Sequence, residues 1–479
     1  MHKFLKLYKK MSEPVKASLW FTLSSVVQRG ISLLTTPIFT RVLTTEQYGV
    51  YSVYQSWYSI IIIFATLNLY AGVYNNGMTK WPENRPQFTS ALLGLSSTIT
   101  IALFGMYLIA MEFWNNLFGL STIFVVAIFV EAFFVPAFNF WAASERYDYK
   151  YRKLVLITIL MGIMSPLLGI ITVLHTQYKA EARVLSFVGI QVCVGLIFYI
   201  YIMCRGHKFY IKRYWKFALA FNLPLVPHYL SQTILSQADR IMISNMVGKS
   251  EAAIYSVAYT ISMMFTIVTA AINNSFIPYT YKALKEQNYK NLKKNATFLV
   301  LMVGIFCMVA MAFGPEIIKI FASSEYYDAR WVIPPVAEAL LFMFVYPLFS
   351  NVEFYFEETK FIMIASGVAA IANIILNYIG IYIFGYIAAA YTTLICYILL
   401  TLAHYVAYKI ICKKNNIQNE IYDVNFLVIY SIISICLMIT MTVIYDKWYI
   451  RYTVIVIICG VVVGKQKFLI SKFREIRKK

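Results

Sequence analysis

Six ionisable side chains stand where the sequence is otherwise apolar: Arg29, Glu131, Asp239, Arg240, Glu338 and Glu353. Each falls within an apolar stretch near the ~20 residues that cross a bilayer as a helix. A charge at that depth costs roughly 3 kcal/mol or more unless hydrated or paired, so each marks a substrate or ion route. Two chemistries follow. Arginine presents a planar fork that suits phosphate oxygens, which makes Arg29 and Arg240 candidate anion ligands. A desolvated carboxylate can take up a proton or Na⁺, which makes Asp239, Glu131, Glu338 and Glu353 candidate ion-coupling groups. Asp239 and Arg240 are sequence neighbours and cannot share one helix face.

The arginines have polar company. The first apolar segment carries Ser25, Gln28, Arg29, Ser32 and Thr36, which form one stripe at helical spacing. The second carries Tyr51, Gln55 and Tyr58. The seventh carries His228, Gln232, Ser236 and Asp239 on one face, and the eighth Tyr255, Tyr259, Ser262, Thr266, Thr269 and Asn273. A water-filled cavity between two halves of the molecule would satisfy all four faces. The expected substrate contacts are Arg29, Gln28, Ser32, Gln55, Gln232, Arg240, Tyr255, Tyr259 and Asn273. The plainer alternative for the hydroxyls and amides is interhelical hydrogen bonding.

The elements that position these groups are transmembrane helices. The 479 residues are 60% hydrophobic and 13% charged, against about 25% charged in soluble proteins. Apolar periodicity and loop signals predict an all-α integral membrane fold with about 14 spans. With the N-terminus cytoplasmic, 32 of the 42 Lys and Arg fall on the cytoplasmic side, nine lie outward or at helix ends, and Arg29 is mid-span. Such asymmetry supports both the count and cytoplasmic termini. Seven of the eight tryptophans lie at predicted helix ends or loops, as an interfacial belt requires.

The stretch "GVYSVYQ" at 49–55 returns as "AIYSVAY" at 253–259, with Tyr51, Ser52 and Val53 matching Tyr255, Ser256 and Val257 at a constant offset of 204. Both stretches open a helix after a polar break, so the repeat is parallel. The expected organisation is a six-helix lobe at 1–213, a second at 214–412, and two extra helices with a basic cytoplasmic tail at 413–479. Two such repeats are a transporter architecture. Pro224 and Pro227 interrupt the seventh helix and give it a place to bend.

Several classes drop out. The net charge of +20 belongs to cytoplasmic loops rather than to nucleic-acid binding. "VGKSE" at 247–251 lacks the glycine of a phosphate loop, since position 243 is Ile, and "GVVVGKQ" is one residue short. ATP hydrolysis within this chain is not expected, and neither is an enzyme. The seven cysteines form no C-x-x-C pair, so no disulfide framework, metal site or cofactor is expected, apart from a coupling H⁺ or Na⁺.

"TTPIFTRVLTTEQYGVYSVYQ" resembles the first-to-second-helix segment of polysaccharide-biosynthesis membrane proteins, where an arginine, a short polar turn and Tyr-Gly-x-Tyr recur. "LSQADRIMISNMVGKSEAAIYSVAYTI" is similar to their seventh-to-eighth-helix segment, although Ala253 stands where a glycine is usual. The family includes the O-antigen and capsule repeat-unit flippases of the multidrug/oligosaccharidyl-lipid/polysaccharide exporter superfamily. The resemblance implies a flippase in the bacterial inner membrane that moves undecaprenyl-diphosphate-linked oligosaccharide outward. It also implies dealings with the polysaccharide polymerase and chain-length machinery. A multidrug or small-cation exporter of the same fold is the alternative; a membrane glycan polymerase or ligase fits less well, because the outward loops are short.

Overall fold

The computed structural model describes residues 11–417 and 420–464. Among them the regular structure is helical: α1 (Glu13–Val42), α2 (Thr45–Thr66), α3 (Gly72–Lys80), α4 (Arg85–Ile109), α5 (Met111–Phe118), α6 (Thr122–Tyr147), α7 (Tyr151–Leu174), α8 (Lys179–Gly206), α9 (Lys212–Asn222), α10 (Val226–Met246), α11 (Lys249–Met263), α12 (Thr266–Lys285), α13 (Tyr289–Ala312), α14 (Gly314–Phe321), α15 (Ile333–Tyr355), α16 (Thr359–Phe384), α17 (Ala388–Lys414), α18 (Val424–Val443) and α19 (Trp448–Gly464). The segments expected to span fall on helices, several of them interrupted. Nine described helices are long and apolar enough to cross a membrane, or ten with the bent pair α11–α12 as one span. The helices α1, α2 and α10 have 30, 22 and 21 residues. Their length suffices, and their polar residues, with Arg29 in α1 and Asp239 and Arg240 in α10 among them, make them less apolar than that set.

The chain divides into two compact units. One runs through Ser256 and includes Phe321–Ser323; the other holds Val257–Ile320 and the chain from Ser324 onward. In the first unit α1 lies along α7, α8 packs on α6 and α7, and α10 lies along α2. The helix α2 opens with a capping box: Gln47 N–H donates to Thr44 Oγ1 at 3.3 Å, and Thr44 N–H to Gln47 Oε1 at 3.1 Å.

The expected second helix is broken rather than continuous. Thr66 Oγ1 donates back to the Ile62 carbonyl (2.7 Å) and accepts from the Asn68 N–H (3.1 Å), a local alternative to the helical ladder. Leu67 and Asn68 then turn left-handed, with φ of 47° and 53°. Asn222 Nδ2 satisfies the released Leu67 carbonyl at 2.6 Å. The seventh segment breaks into α9 and α10 at a 3₁₀ turn, Leu223–Leu225, where the prolines place it. The ninth splits into α13 and α14.

In the second unit α15 is buried along nearly its whole length against α13, α17 and α18, as a helix apolar on all sides should be. The two helices outside the repeat dock through polar contacts. Ser434 of α18 donates to Glu338 of α15 at 2.7 Å, Arg451 of α19 pairs with Glu316 of α14, and Lys293 of α13 pairs with Glu420 at 2.8 Å.

Candidate functional site

Arg183, on the first turns of α8, is the centre of the site in the first unit. Its guanidinium carbon lies 3.9 Å from the Phe39 ring centroid and 4.0 Å from that of Tyr51. The two rings, from α1 and α2, face the cation while its N–H edge remains free to donate. The residue is 7% exposed, and its Nε and Nη1 have no hydrogen-bond partner among the described residues. Gly169 of α7 makes the room: a Cβ there would stand 3.2 Å from the Phe39 ring and 3.4 Å from Arg183 Nη1.

Arg183 opens on a cavity of about 290 Å³ lined by Gln28 and Ser32 of α1, Tyr51 of α2, Asn139 of α6, Ser165 of α7 and Gln191 of α8. Ser165 Oγ is buried without a partner among the described residues. Pro166 follows it and has no N–H, so the Gly162 carbonyl on the cavity wall lacks its helical donor. Among the described residues no carboxylate lines this space. The arrangement can hold a polar, anionic group: one stacked cation, amide and hydroxyl donors, and an aromatic face.

The expected carboxylates are buried and individually partnered. Tyr54 donates to Glu131 Oε2 at 2.7 Å. Tyr255 donates to Asp239 Oδ2 at 2.5 Å, joining α11 to α10. Glu353 Oε1 meets His404 Nδ1 at 2.7 Å, with Tyr346 stacked on the imidazole. Glu338 takes the Ser434 bond already described, and one oxygen each of Glu338 and Glu353 has no partner among the described residues. Glu131 and Asp239 belong to the first unit, Glu338 and Glu353 to the second.

The expected substrate residues fall in both units. Gln28 and Ser32 line the Arg183 cavity, and Arg29 sits on the exposed surface of α1 outside that lining. Arg240 Nη1 donates to the Ser236 carbonyl (2.7 Å) and to Gln237 Oε1 (2.8 Å). Gln237 in turn accepts from Ser56 of α2 at 3.2 Å. Gln55 is half-buried with its Nε2 unpartnered among the described residues, and Gln232 is half-buried on α10. In the second unit Tyr259 is buried and Asn273 half-buried, with its Oδ1 unpartnered among the described residues. Sequence reasoning missed Arg183 and His404. Arg183 counts as an interfacial charge by position; Phe39 and Tyr51, from two other helices, stack on it.

The family model described as "Polysaccharide biosynthesis protein" matches residues 15–284, more than half of the chain. The chain belongs to this family. A second model, MatE, matches residues 224–379 of this polysaccharide-biosynthesis protein. It is 21% identical over 363 residues to "Lsg locus putative protein 1" of Haemophilus influenzae, covering 72% of this chain and 86% of that one. It is 21% identical over 340 residues to a "Putative O-antigen transporter" of Shigella flexneri, covering 65% and 77%. Among solved structures it is similar to the lipid II flippase MurJ in an inward closed conformation, with TM-score 0.65 and 14% identity over 91% of this chain and all of that one. It also resembles an inward-facing multidrug resistance MATE family transporter, with TM-score 0.58 and 15% identity over 82% and 96%. Those likenesses establish the fold. Family and fold are those of multi-span membrane transporters, not of enzymes.

Proposed function

We propose that this protein is a flippase carrying undecaprenyl-diphosphate-linked oligosaccharide from the cytoplasmic to the outer leaflet of a bacterial inner membrane. Movement is by alternating access coupled to H⁺ or Na⁺, and delivered units pass to polymerising enzymes outside. The observation that carries this reading is Arg183: a buried, ring-stacked cation whose Nε and Nη1 have no partner among the described residues, opening on a polar cavity. A diphosphate needs such a donor set, and sugars need the amides and the Tyr51 face beside it. Names among the relatives point the same way, one being a putative O-antigen transporter. The ion-binding role falls to Asp239, Glu131, Glu338 or Glu353.

The match to the MatE model favours a second reading, export of small organic cations. That cargo wants a carboxylate in its cavity, and the charged group lining this one is a guanidinium. The test is surface glycan in a strain that depends on this protein. Arg183→Gln should remove the glycan while the protein remains in the membrane at its normal level. Full surface glycan in that variant, or resistance to organic cations lost in its place, would refute the flippase reading.

A further inference from the structure

The seam between α1 and α7 holds a second cavity, of about 210 Å³, one stretch along from the first. It is bordered by Ser24, Ser25 and Gln28 of α1, Thr158 of α7 and Arg146 of α6. Gln28 and Thr158 border both cavities. Gln28 stands at their border, its Nε2 donating to the Thr158 carbonyl at 3.3 Å, beyond the usual range for such bonds. The two spaces share a pattern. Each has one arginine, and each has one buried hydroxyl with no partner among the described residues, Ser165 in the first and Ser24 in the second. Among the described residues neither space is lined by a carboxylate. Ser25 and Ser32, which mark the two spaces on α1, are seven residues apart, about 10 Å along a helix.

We propose that this seam is a two-station track for phosphoryl groups, with an inner subsite at Arg146 and Ser24 and an outer one at Arg183 and Ser165. Gln28 is the movable partition. Phosphoryl oxygens only accept, and the guanidinium, hydroxyl and amide groups along the seam can all donate. The stations differ in a useful way. Arg146 is exposed and lies 6.0 Å from the Phe21 ring, so an anion can meet it while still hydrated. Arg183 is buried, so transfer exchanges water for stacked guanidinium and hydroxyl. This deepens the flippase reading and rests on it, and it commits the ligand to the diphosphate of a polyprenyl lipid.

The test is binding to the purified protein in phosphatidylcholine nanodiscs, with undecaprenyl diphosphate, undecaprenol and inorganic pyrophosphate as probes. Two stations predict that Arg146→Gln and Arg183→Gln each weaken undecaprenyl diphosphate binding several-fold, and that the double variant weakens it by 100-fold or more. Ser25→Leu, which fills the inner space without touching a charge, should behave like Arg146→Gln, and Arg146→Lys should recover part of the loss. Lys153→Gln, a neutralisation nearby but outside both cavities, should change nothing. If Ser25→Leu binds normally and the double variant equals Arg183→Gln alone, the inner station is refuted and the flippase reading stands. If the unaltered protein binds undecaprenyl diphosphate no better than undecaprenol, the flippase reading fails, and the track with it. Equal affinity for pyrophosphate and lipid would refute a lipid-borne ligand.

Discussion

A guanidinium held between two aromatic rings keeps its charge without needing a carboxylate, and that separates Arg183 from an ordinary structural arginine. Removing one partner of a buried ion pair costs about 3–5 kcal/mol, because the other charge is left unpaired. Arg183 has no such partner among the described residues. Arg183→Gln should therefore leave the melting temperature within a few degrees of the unaltered protein while transport is lost. Arg183→Lys should keep a fraction of transport, about a tenth, since charge survives but stacking and fork geometry do not. A large fall in melting temperature would instead make Arg183 a structural group. Glu131 behaves oppositely. Tyr54→Phe removes its hydroxyl donor and should cost about 1–3 kcal/mol, read as a lower melting temperature that Glu131→Gln shows less strongly. The sequence marks Glu131, Glu338 and Glu353 because acids stand out in apolar runs. It does not mark Arg183, whose neighbours in space lie far from it in the chain.

The starts of α2 and α11 meet within the first unit. Thr45, which opens α2, lies against Ser250, at the start of α11, with their hydroxyl oxygens 3.1 Å apart. A Cβ at Gly49 would overlap the Lys249 carbonyl. That is backbone and cannot turn aside as a flexible side chain can, so glycine is what permits the approach. A Thr45→Cys, Ser250→Cys double variant should form a disulfide under mild oxidant and run as a cross-linked species on peptide mapping. Failure to cross-link would mean that these helix ends do not meet. Thr44→Ala should lose the cap of α2, at about 1 kcal/mol. Element existence was legible from periodicity, and the break at α9–α10 from Pro224 and Pro227. The break after Thr66 was not, because it depends on Asn222 reaching the Leu67 carbonyl from another helix.

For the whole molecule, the membrane class, the helical segments and the transporter fold were readable from hydropathy, charge placement and the repeated "YSV". What the sequence could not show is which polar faces meet. Arg29, expected among the substrate contacts, is exposed on α1, while Gln28 beside it lines two cavities in the α1–α7 seam. A difference of one residue turns a helix by about 100°, and no pattern in a single sequence fixes rotation that finely. Orientation remains an expectation with its own test: cysteines at Lys150 and Lys282 should react with an impermeant thiol reagent only from the cytoplasmic side, and one at Asp328 only from outside. The reverse pattern would invert the direction of transport. The central claim is that Arg183 serves the movement of a lipid-linked diphosphate. Its most direct test is the rate at which the purified protein, in proteoliposomes with a cation gradient, moves a fluorescent undecaprenyl-diphosphate oligosaccharide between leaflets. The unaltered protein should give protein-dependent transfer that Arg183→Gln lowers at least 10-fold; transfer at the rate of empty liposomes by the unaltered protein, or an undiminished rate in the variant, would contradict the account.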